Sequence, residues 1–354
     1  MKVVISEVAK KAKVTKGTVS KVINNYPSIS QELRTRVMKV IEQMGYVPNS
    51  HAQRLGFSRK QKEGKRLLTK NIVCIAYSGY NRIEDLELTE TIEYMNEELK
   101  KNGYRLYGCY SCDELANDPE LFNRVINTDT VDGVITIATQ LEGIYKRVID
   151  NMTNIISVRE IIRDNNSIDY VIPDGYQGSM EAVRYLVTMN HKRIGFIFAN
   201  TPLSGGAGVG AGFLRAQKEA GLKCYKNLMK VIPERSSEET KIKESYEFMK
   251  EIIENNVELP SAMATSDPLF LIGINNALKE KNFKVPEDIS LITFQNDQRI
   301  KYIKPAITTI DYDMKKMASV VINQLIMRIQ NPDTEFVKIL LPYKLEERES
   351  CRRI

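Results

Sequence analysis

Residues 204–212 read SGGAGVGAG, five glycines in nine residues, soon after the apolar run Ile194-Gly195-Phe196-Ile197-Phe198-Ala199. Gly206, Gly208 and Ala211 match the G-x-G-x-x-G/A spacing that lets a backbone approach the pyrophosphate of a dinucleotide. Placement argues against that chemistry. A phosphate-cradling loop begins directly at the strand end, whereas Thr201-Pro202-Leu203-Ser204 intervene here, and no lysine makes a P-loop of the run. Other reactive groups are sparse. Cys109-Tyr-Ser-Cys112 has the spacing of a redox pair or half a zinc site, but no second pair or nearby histidine completes it, so packing cysteines are expected. His51 and His191 are the only histidines, His191 is expected to be structural at a strand entrance, and no G-x-S-x-G elbow marks a nucleophile. The expectation is a protein that is not an enzyme and uses no cofactor or metal. The glycine run is then a loop entering a helix over Phe213 to Ala220.

Charge distribution shows what the chain meets instead. Across its 354 residues the net charge is +6, yet residues 1–70 hold sixteen Lys/Arg and four Glu, and the remainder 35 basic and 41 acidic residues. A basic head on a mildly acidic body suggests a polyanionic partner, with nucleic acid the first candidate. The five cysteines fit reduced thiols better than a disulfide framework. MKVVISEVAKKAKV lacks the apolar core of a signal peptide and no 18-residue apolar run follows, so a cytoplasmic protein with no membrane partner is expected.

Helical periodicity organises the head. Ile5, Val8, Ala9 and Ala12 predict a short first helix. Thr15 is placed to cap a second helix running to about Ile23, with Val19, Val22 and Ile23 inward and Lys16, Gly17, Ser20, Lys21 and Asn24 outward. Ser30 caps a third, whose core stripe is Leu33, Val37, Val40, Ile41 and Met44, and Gly45 ends it. Two short helices joined by a tight turn, the second with a basic outer face, form a helix-turn-helix that enters the major groove. Lys16 and Lys21 can donate to guanine O6 and N7, and Thr15, Ser20, Asn24 and Ser30 suit phosphate oxygens. Gly17 costs roughly 1 kcal/mol of helix propensity relative to alanine, which is offset if the helix must lie close to the bases.

The stretch VISEVAKKAKVTKGTVSKVIN…ISQELRTRVMKVIEQMGYVPNSHAQRL closely resembles the N-terminus of the LacI/GalR repressors. The resemblance implies that the segment from Asn49 folds into a hinge helix on a palindromic operator. Leu55 is then the minor-groove wedge, with Ala52 one turn earlier on the same face. Unstacking a base step in this way costs a few kcal/mol, offset by the contacts that bent DNA permits. Two features depart from the pattern. Val4 stands where the family has a capping Thr or Ser, and GFSRKQKEGKRLLTKN between Leu55 and the first core strand is roughly twice the usual connection, with six basic residues and one acidic. Those charges suit a solvated linker, or further phosphate contacts that would steepen the salt dependence.

From Ile72 onward, strand-like runs alternate with amphipathic helices: IVCIAY, a helix near 87–102, YRLYGCYS, a helix near 118–127, VDGVITIA and NIISV. A second series has strands near 194–199, 228–232, 262–265 and 289–294. Such series form doubly wound parallel sheets of an α/β protein. VDGVI, VIPDGYQG, NHKRIGFI, VPEDISLITF, PAITTI and EERES carry the family resemblance through the body, which implies a two-lobed periplasmic-binding-protein-like core. The expected divisions are a DNA-binding head over 1–47 and a hinge and linker over 48–70. One core lobe then takes 71–171 with 299–328, the other 172–298 with 329–354.

The same resemblance places a small-molecule effector between the lobes, and here the residues depart again. The family's effector-gripping arginine, three residues before a Gly-aromatic pair, corresponds to Val209, and its late aspartate corresponds to Gln295. Ser266-Asp267 keeps an acidic position, which leaves Tyr80, Arg159, Asp267 and Gln295 as effector candidates. The implied protein is a homodimeric repressor of a double-stranded DNA operator. The alternative is a regulator whose core binds a protein corepressor or only dimerises. A solute receptor would share the body fold but needs a secretion signal and no helix-turn-helix.

Overall fold

The computed structural model describes residues 5–23, 29–44, 68–77, 86–137, 144–159, 168–200, 208–233, 236–255 and 258–354. They form two compact units that divide after Leu68.

The first unit contains α1 (Ile5–Lys11), α2 (Lys16–Ile23) and α3 (Gln31–Met44). Val8, Ala9, Ala12, Val19, Val22 and Val37 form its core, with Leu33, Val40, Ile41 and Met44 against them. Apart from Ile5 and Ile23, whose side chains lie outside what is described, that is the expected stripe, read at helical spacing. The turn after α1 closes through Val14 N–H to Ala9 O at 3.0 Å, with Lys13 at φ +54° in the left-handed position usually given to glycine.

The second unit is built on two six-stranded sheets. The first contains β1 (Asn71–Ala76), β2 (Arg105–Ser111), β3 (Gly133–Ile137), β4 (Ile155–Val158), β5 (Asp169–Pro173) and β11 (Lys338–Leu341), in the order β11-β5-β4-β3-β1-β2. The second contains β6 (Ile194–Asn200), β7 (Met229–Pro233), β8 (Ala262–Thr265), β9 (Ser290–Phe294), β10 (Thr308–Asp311) and β12 (Lys344–Glu346), in the order β12-β10-β9-β8-β6-β7. Every pairing is parallel except β10 with β12. Parallel strands covered on both faces read as unbroken apolar runs, and β1, β3 and β9 are buried at every position.

Helices cover both faces of each sheet. On the first sheet, α4 (Leu86–Lys101) and the long α12 (Met314–Gln330) pack one face, while α5 (Cys112–Asn117), α6 (Pro119–Val125) and α7 (Ile144–Asn151) pack the other. On the second, α8 (Gly175–Thr188) and α9 (Val209–Glu219) lie opposite α10 (Glu238–Glu254) and α11 (Pro268–Glu280). The helix expected near 118–127 is α6, and a further short helix, α5, precedes it where the sequence pattern predicts none. Ser111 and Glu114 form a capping box that starts α5, and Asp118 ends α5 and caps α6 with Pro119 in its first turn.

The lobe boundaries differ from those expected. Strand 308–311 belongs to the second sheet, not to the first lobe, and strand 338–341 to the first sheet, not to the second lobe. The chain therefore crosses between lobes near residues 174, 312 and 342. Helix α12 accounts for the difference. Its Met317, Val321 and Leu325 are buried in the first lobe's core, so the chain leaves the second sheet before the helix and returns only after β11.

Candidate nucleic-acid interface and effector cleft

In the head, the two N-caps are those the sequence predicts, while Gly45 lies outside the described residues. Thr15 Oγ1 accepts from Thr18 N–H at 3.0 Å at the start of α2, and Ser30 Oγ accepts from Leu33 N–H at 3.4 Å at the start of α3. Capping occupies both hydroxyl acceptors, so Thr15 and Ser30 shape the helix starts as well as facing solvent. Thr15, Lys16 and Gly17 are exposed. A Cβ built on Gly17 would meet only Thr15 Oγ1, at 3.7 Å, so nothing within this unit requires glycine there. Ser20 and Lys21 fall on α2, one turn on from Lys16 and Gly17. Asn24, Asn49, Ala52, Leu55 and Tyr80 lie outside the described residues.

Residues 204–207 of the glycine run lie outside the described residues, and the remainder, 208–212, opens a helix. Gly208 is the N-cap of α9, so Val209 to Gly212 already belong to the helix that was expected to begin at Phe213. Two of these glycines are there for packing. A Cβ on Gly212 would lie 2.2 Å from Tyr176 O of α8, and one on Gly210 would lie 2.7 Å from the Phe198 ring. Phe213 stacks on Phe196 with centroids 4.4 Å apart. Val209, at the position of the family's arginine, packs against Gly175 and the second lobe's core.

Three effector candidates fall at carboxyl ends of strands, where open α/β sheets bind ligands. Arg159 follows β4 in the first lobe with φ +62° and donates its N–H to Val171 O at 3.0 Å. Asp267 and Gln295 follow the neighbouring strands β8 and β9 in the second lobe, where Thr265 and Thr293 are in register. The structure thus brings Asp267 and Gln295 to one wall and leaves Arg159 on the other sheet. Gln295, at φ +67°, donates its N–H to Ile310 O at 2.9 Å, which ties its backbone to β10. Phe294 and Tyr312 each meet the Tyr343 ring edge-on, at 5.3 and 5.5 Å, so this wall adjoins two of the lobe crossings.

Asp267 is less available than its sequence position implies. Its Oδ1 accepts from Leu269 N–H at 2.8 Å as the cap of α11, and its Oδ2 pairs with Lys241 Nζ at 2.8 Å. Beside it, Arg299 bonds Asp297 through Nε at 2.8 Å and Nη2 at 2.6 Å, and also reaches Glu238. Burial works against the Asp297 carboxylate, but the hydrogen bonds from Arg299 outweigh it and its pKa is lowered. The Arg299 pKa is raised, first by its bond to Asp297. Sequence reasoning missed Lys241, Arg299 and Glu238. Ser237, which caps α10, signals that Lys241 sits one turn in, but not that it faces Asp267.

The remaining motifs are structural. His191, 1% exposed, contacts Ser261 Oγ through Nδ1 at 2.9 Å and Arg352 O through Nε2 at 3.1 Å. A carbonyl only accepts, so Nε2 carries the proton and Nδ1 accepts from the serine. Burial lowers the His191 pKa. Cys109 packs with the core under α4 and α12, whereas Cys112 packs on the opposite face of the sheet. Among the described residues no cluster suits a metal ion and no helix is long and apolar enough to cross a membrane.

Comparison with known proteins agrees with this architecture. Residues 4–49 match the model of bacterial regulatory proteins of the lacI family, and residues 183–351 match that of a periplasmic binding protein-like domain. The repressor PurR of Klebsiella pneumoniae is 28% identical over 348 residues, covering 98% of this chain and 96% of that protein. The regulator RegA of Clostridium saccharobutylicum is 25% identical over 351 residues, covering 98% of each. The fold is shared with the regulator CelR in complex with cellobiose, at TM-score 0.68 and 19% identity over 99% of this chain and 100% of that one. It is also shared with the lac repressor dimer bound to operator and an anti-inducer, at TM-score 0.64 and 18% identity with the same coverage. With a matching head, a matching core and end-to-end relatives that are repressors, the chain belongs to the lacI family of bacterial regulatory proteins, DNA-binding regulators of transcription rather than enzymes.

Proposed function

We propose that the protein is a dimeric repressor whose two heads each read half of a palindromic operator, and whose core is switched by a small molecule held between the lobes. The observation that carries the reading is the joining, in one chain, of a capped helix-turn-helix and a two-sheet core crossed three times. In that core Arg159 and the pair Asp267 and Gln295 stand at carboxyl strand ends of different sheets. A ligand that contacts both walls favours one lobe arrangement, and it shifts the equilibrium only by its differential affinity for the two. Thr15, Lys16, Gly17, Ser20, Lys21, Asn24 and Ser30 are assigned to the major groove and its phosphates. Asn49, Ala52 and Leu55 are assigned to the hinge and minor groove, and Tyr80 joins Arg159 in the cleft.

A second reading has support of its own. Val209 packs where the family has an arginine, and Asp267 has both oxygens engaged. In that reading the core only dimerises or binds a protein corepressor. Selection of bound fragments from random duplex DNA, followed by anisotropy at several salt concentrations, tests the DNA function. A palindromic site that is lost on Leu55→Ala supports it, and binding without sequence preference refutes it. A ligand panel in thermal-shift format then separates the two readings. A true effector at 100 times its Kd stabilises the fold by about 2.7 kcal/mol, and a panel of the relatives' ligand classes that produces no shift favours the second.

A further inference from the structure

The chain enters its core unit at Thr69, and one buried carboxylate holds it there. Asp132, 1% exposed at the start of β3, accepts from two consecutive amides, Thr69 N–H on Oδ1 at 3.0 Å and Lys70 N–H on Oδ2 at 2.8 Å. Its own N–H donates to Asn71 O at 2.8 Å, and its carbonyl accepts from Asn154 Nδ2 at 2.9 Å. Asn71 accepts from Arg105 Nε at 2.6 Å, and Arg105 N–H donates to Lys70 O at 2.9 Å. The starts of β1, β2, β3 and β4 are thereby tied to the two residues that connect the core to the basic linker. Lys70 has φ +60°, a conformation a lysine keeps only when its surroundings impose it, and its ammonium lies 4.1 Å from the centre of the Tyr104 ring.

We propose that Asp132 is the positioning residue through which the first lobe and the DNA-binding linker act on each other; the inference rests on the regulator reading above. Hydrogen bonds to an ionised carboxylate are stronger than neutral ones, and two of them on adjacent amides fix both the place and the direction of chain exit. Motion of the first sheet then displaces residue 69 instead of fraying it, and tension from the DNA-bound head reaches β1 and β3. Asp132→Asn leaves one acceptor and turns a donor towards the other amide, which breaks the clamp while β3 keeps its strand bonds.

Hydrogen–deuterium exchange of the full chain, with and without the selected palindromic duplex, tests this. In the parent protein, bound duplex slows exchange over residues 69–76 and 130–134 by about tenfold or more, the factor expected when a charge-assisted bond is held closed. In Asp132→Asn that duplex-dependent change disappears there and persists over residues 16–23. Lys70→Gly, which keeps the amide and the left-handed turn, retains it. Should Asp132→Asn fail to fold, Thr69→Pro removes one donor without altering the carboxylate and is expected to lose the change. Equal protection in the clamp variant and the parent overturns the inference, as does a bound parent showing no change over 69–76. If no palindromic duplex is selected at all, the regulator reading fails, and the inference with it.

Discussion

Replacing Arg328 with methionine tests how the first lobe is closed. Arg328 and Asp169 are 1% and 0% exposed, and the guanidinium meets the carboxylate through Nε at 3.0 Å and Nη2 at 2.9 Å. Nη2 also donates to Glu335 O at 2.8 Å, Nη1 to Thr334 O, and Asp169 Oδ1 accepts from Val337 N–H at 2.9 Å. This network joins the end of α12, the turn that follows it and β5, and so fixes where edge strand β11 lies. Arg328→Met leaves a buried carboxylate with one remaining donor, a change that costs about 3–5 kcal/mol in comparable pairs. That is a large share of the about 5–15 kcal/mol that folded proteins typically have. At roughly 2–4 °C per kcal/mol for a domain of this order, the melting point should fall by about 6–20 °C. Arg328→Met with Asp169→Leu removes the stranded charge and should recover most of the loss, since apolar replacements of buried pairs are often neutral or stabilising. Urea and thermal unfolding of the parent, of Arg328→Met and Asp169→Leu singly, and of the double variant measure the coupling. A single variant within about 2 °C of the parent (less than one kcal/mol) would refute the reasoning, as would a double variant no better than the single.

Three further perturbations follow from the same structure. Gly17→Ala meets no steric obstacle within the head and should stabilise α2 by up to about 1 kcal/mol; if operator affinity rises with head stability, close approach to the bases is not why glycine is there. Gly212→Ala drives a methyl group into the Tyr176 carbonyl and should destabilise the core by about 1–3 kcal/mol, read by denaturant midpoint; an unchanged midpoint would mean that α8 and α9 slide apart freely. Because burial lowers the folded-state pKa of His191 below 6.5, the unfolded chain binds more protons, so stability from this residue is complete above that value and is lost as pH falls towards the folded pKa. His191→Gln should flatten that acid limb of a urea-midpoint profile, and an unaltered slope would assign it to other groups.

Much of this molecule was legible because local rules and tertiary structure agree. In the head, Val8, Ala12, Val19, Val22 and Val37 bury the face that helical spacing selects, and Thr15 and Ser30 cap where hydroxyls precede apolar runs. In the core, β1, β3 and β9 were readable because parallel strands buried on both sides are predominantly apolar. What stayed hidden depends on contacts distant in sequence. Strand 338–341 alternates exposed and buried positions like an ordinary edge, and nothing local says which sheet it joins. The glycines of α9 read as a loop because glycine is a poor helix former, and their place in the helix is set by distant neighbours, Tyr176 of α8 against Gly212 and Phe198 of β6 against Gly210. Lys241 meets Asp267 and Arg299 meets Glu238 only because β7, β8 and β9 end on one side, which no spacing between residues 238 and 299 reveals.

The threefold crossing also dictates the order in which a newly made chain can become complete. The first lobe lacks its outermost strand until residues 338–341 have emerged, after the whole of the second lobe, and the second lobe lacks its antiparallel strand until residue 346. Throughout synthesis β5 therefore presents an open parallel edge, and Asp169 waits in a half-built core for Arg328. Long-range parallel pairing of this kind is slow, and unpaired edges invite association with other chains. Both lobes close within a few residues of each other, so a nascent fragment that stops short of residue 338 can complete neither sheet. The core becomes complete only once residues 338–346 have been made, and truncations that remove 338–346 should strip both sheets together.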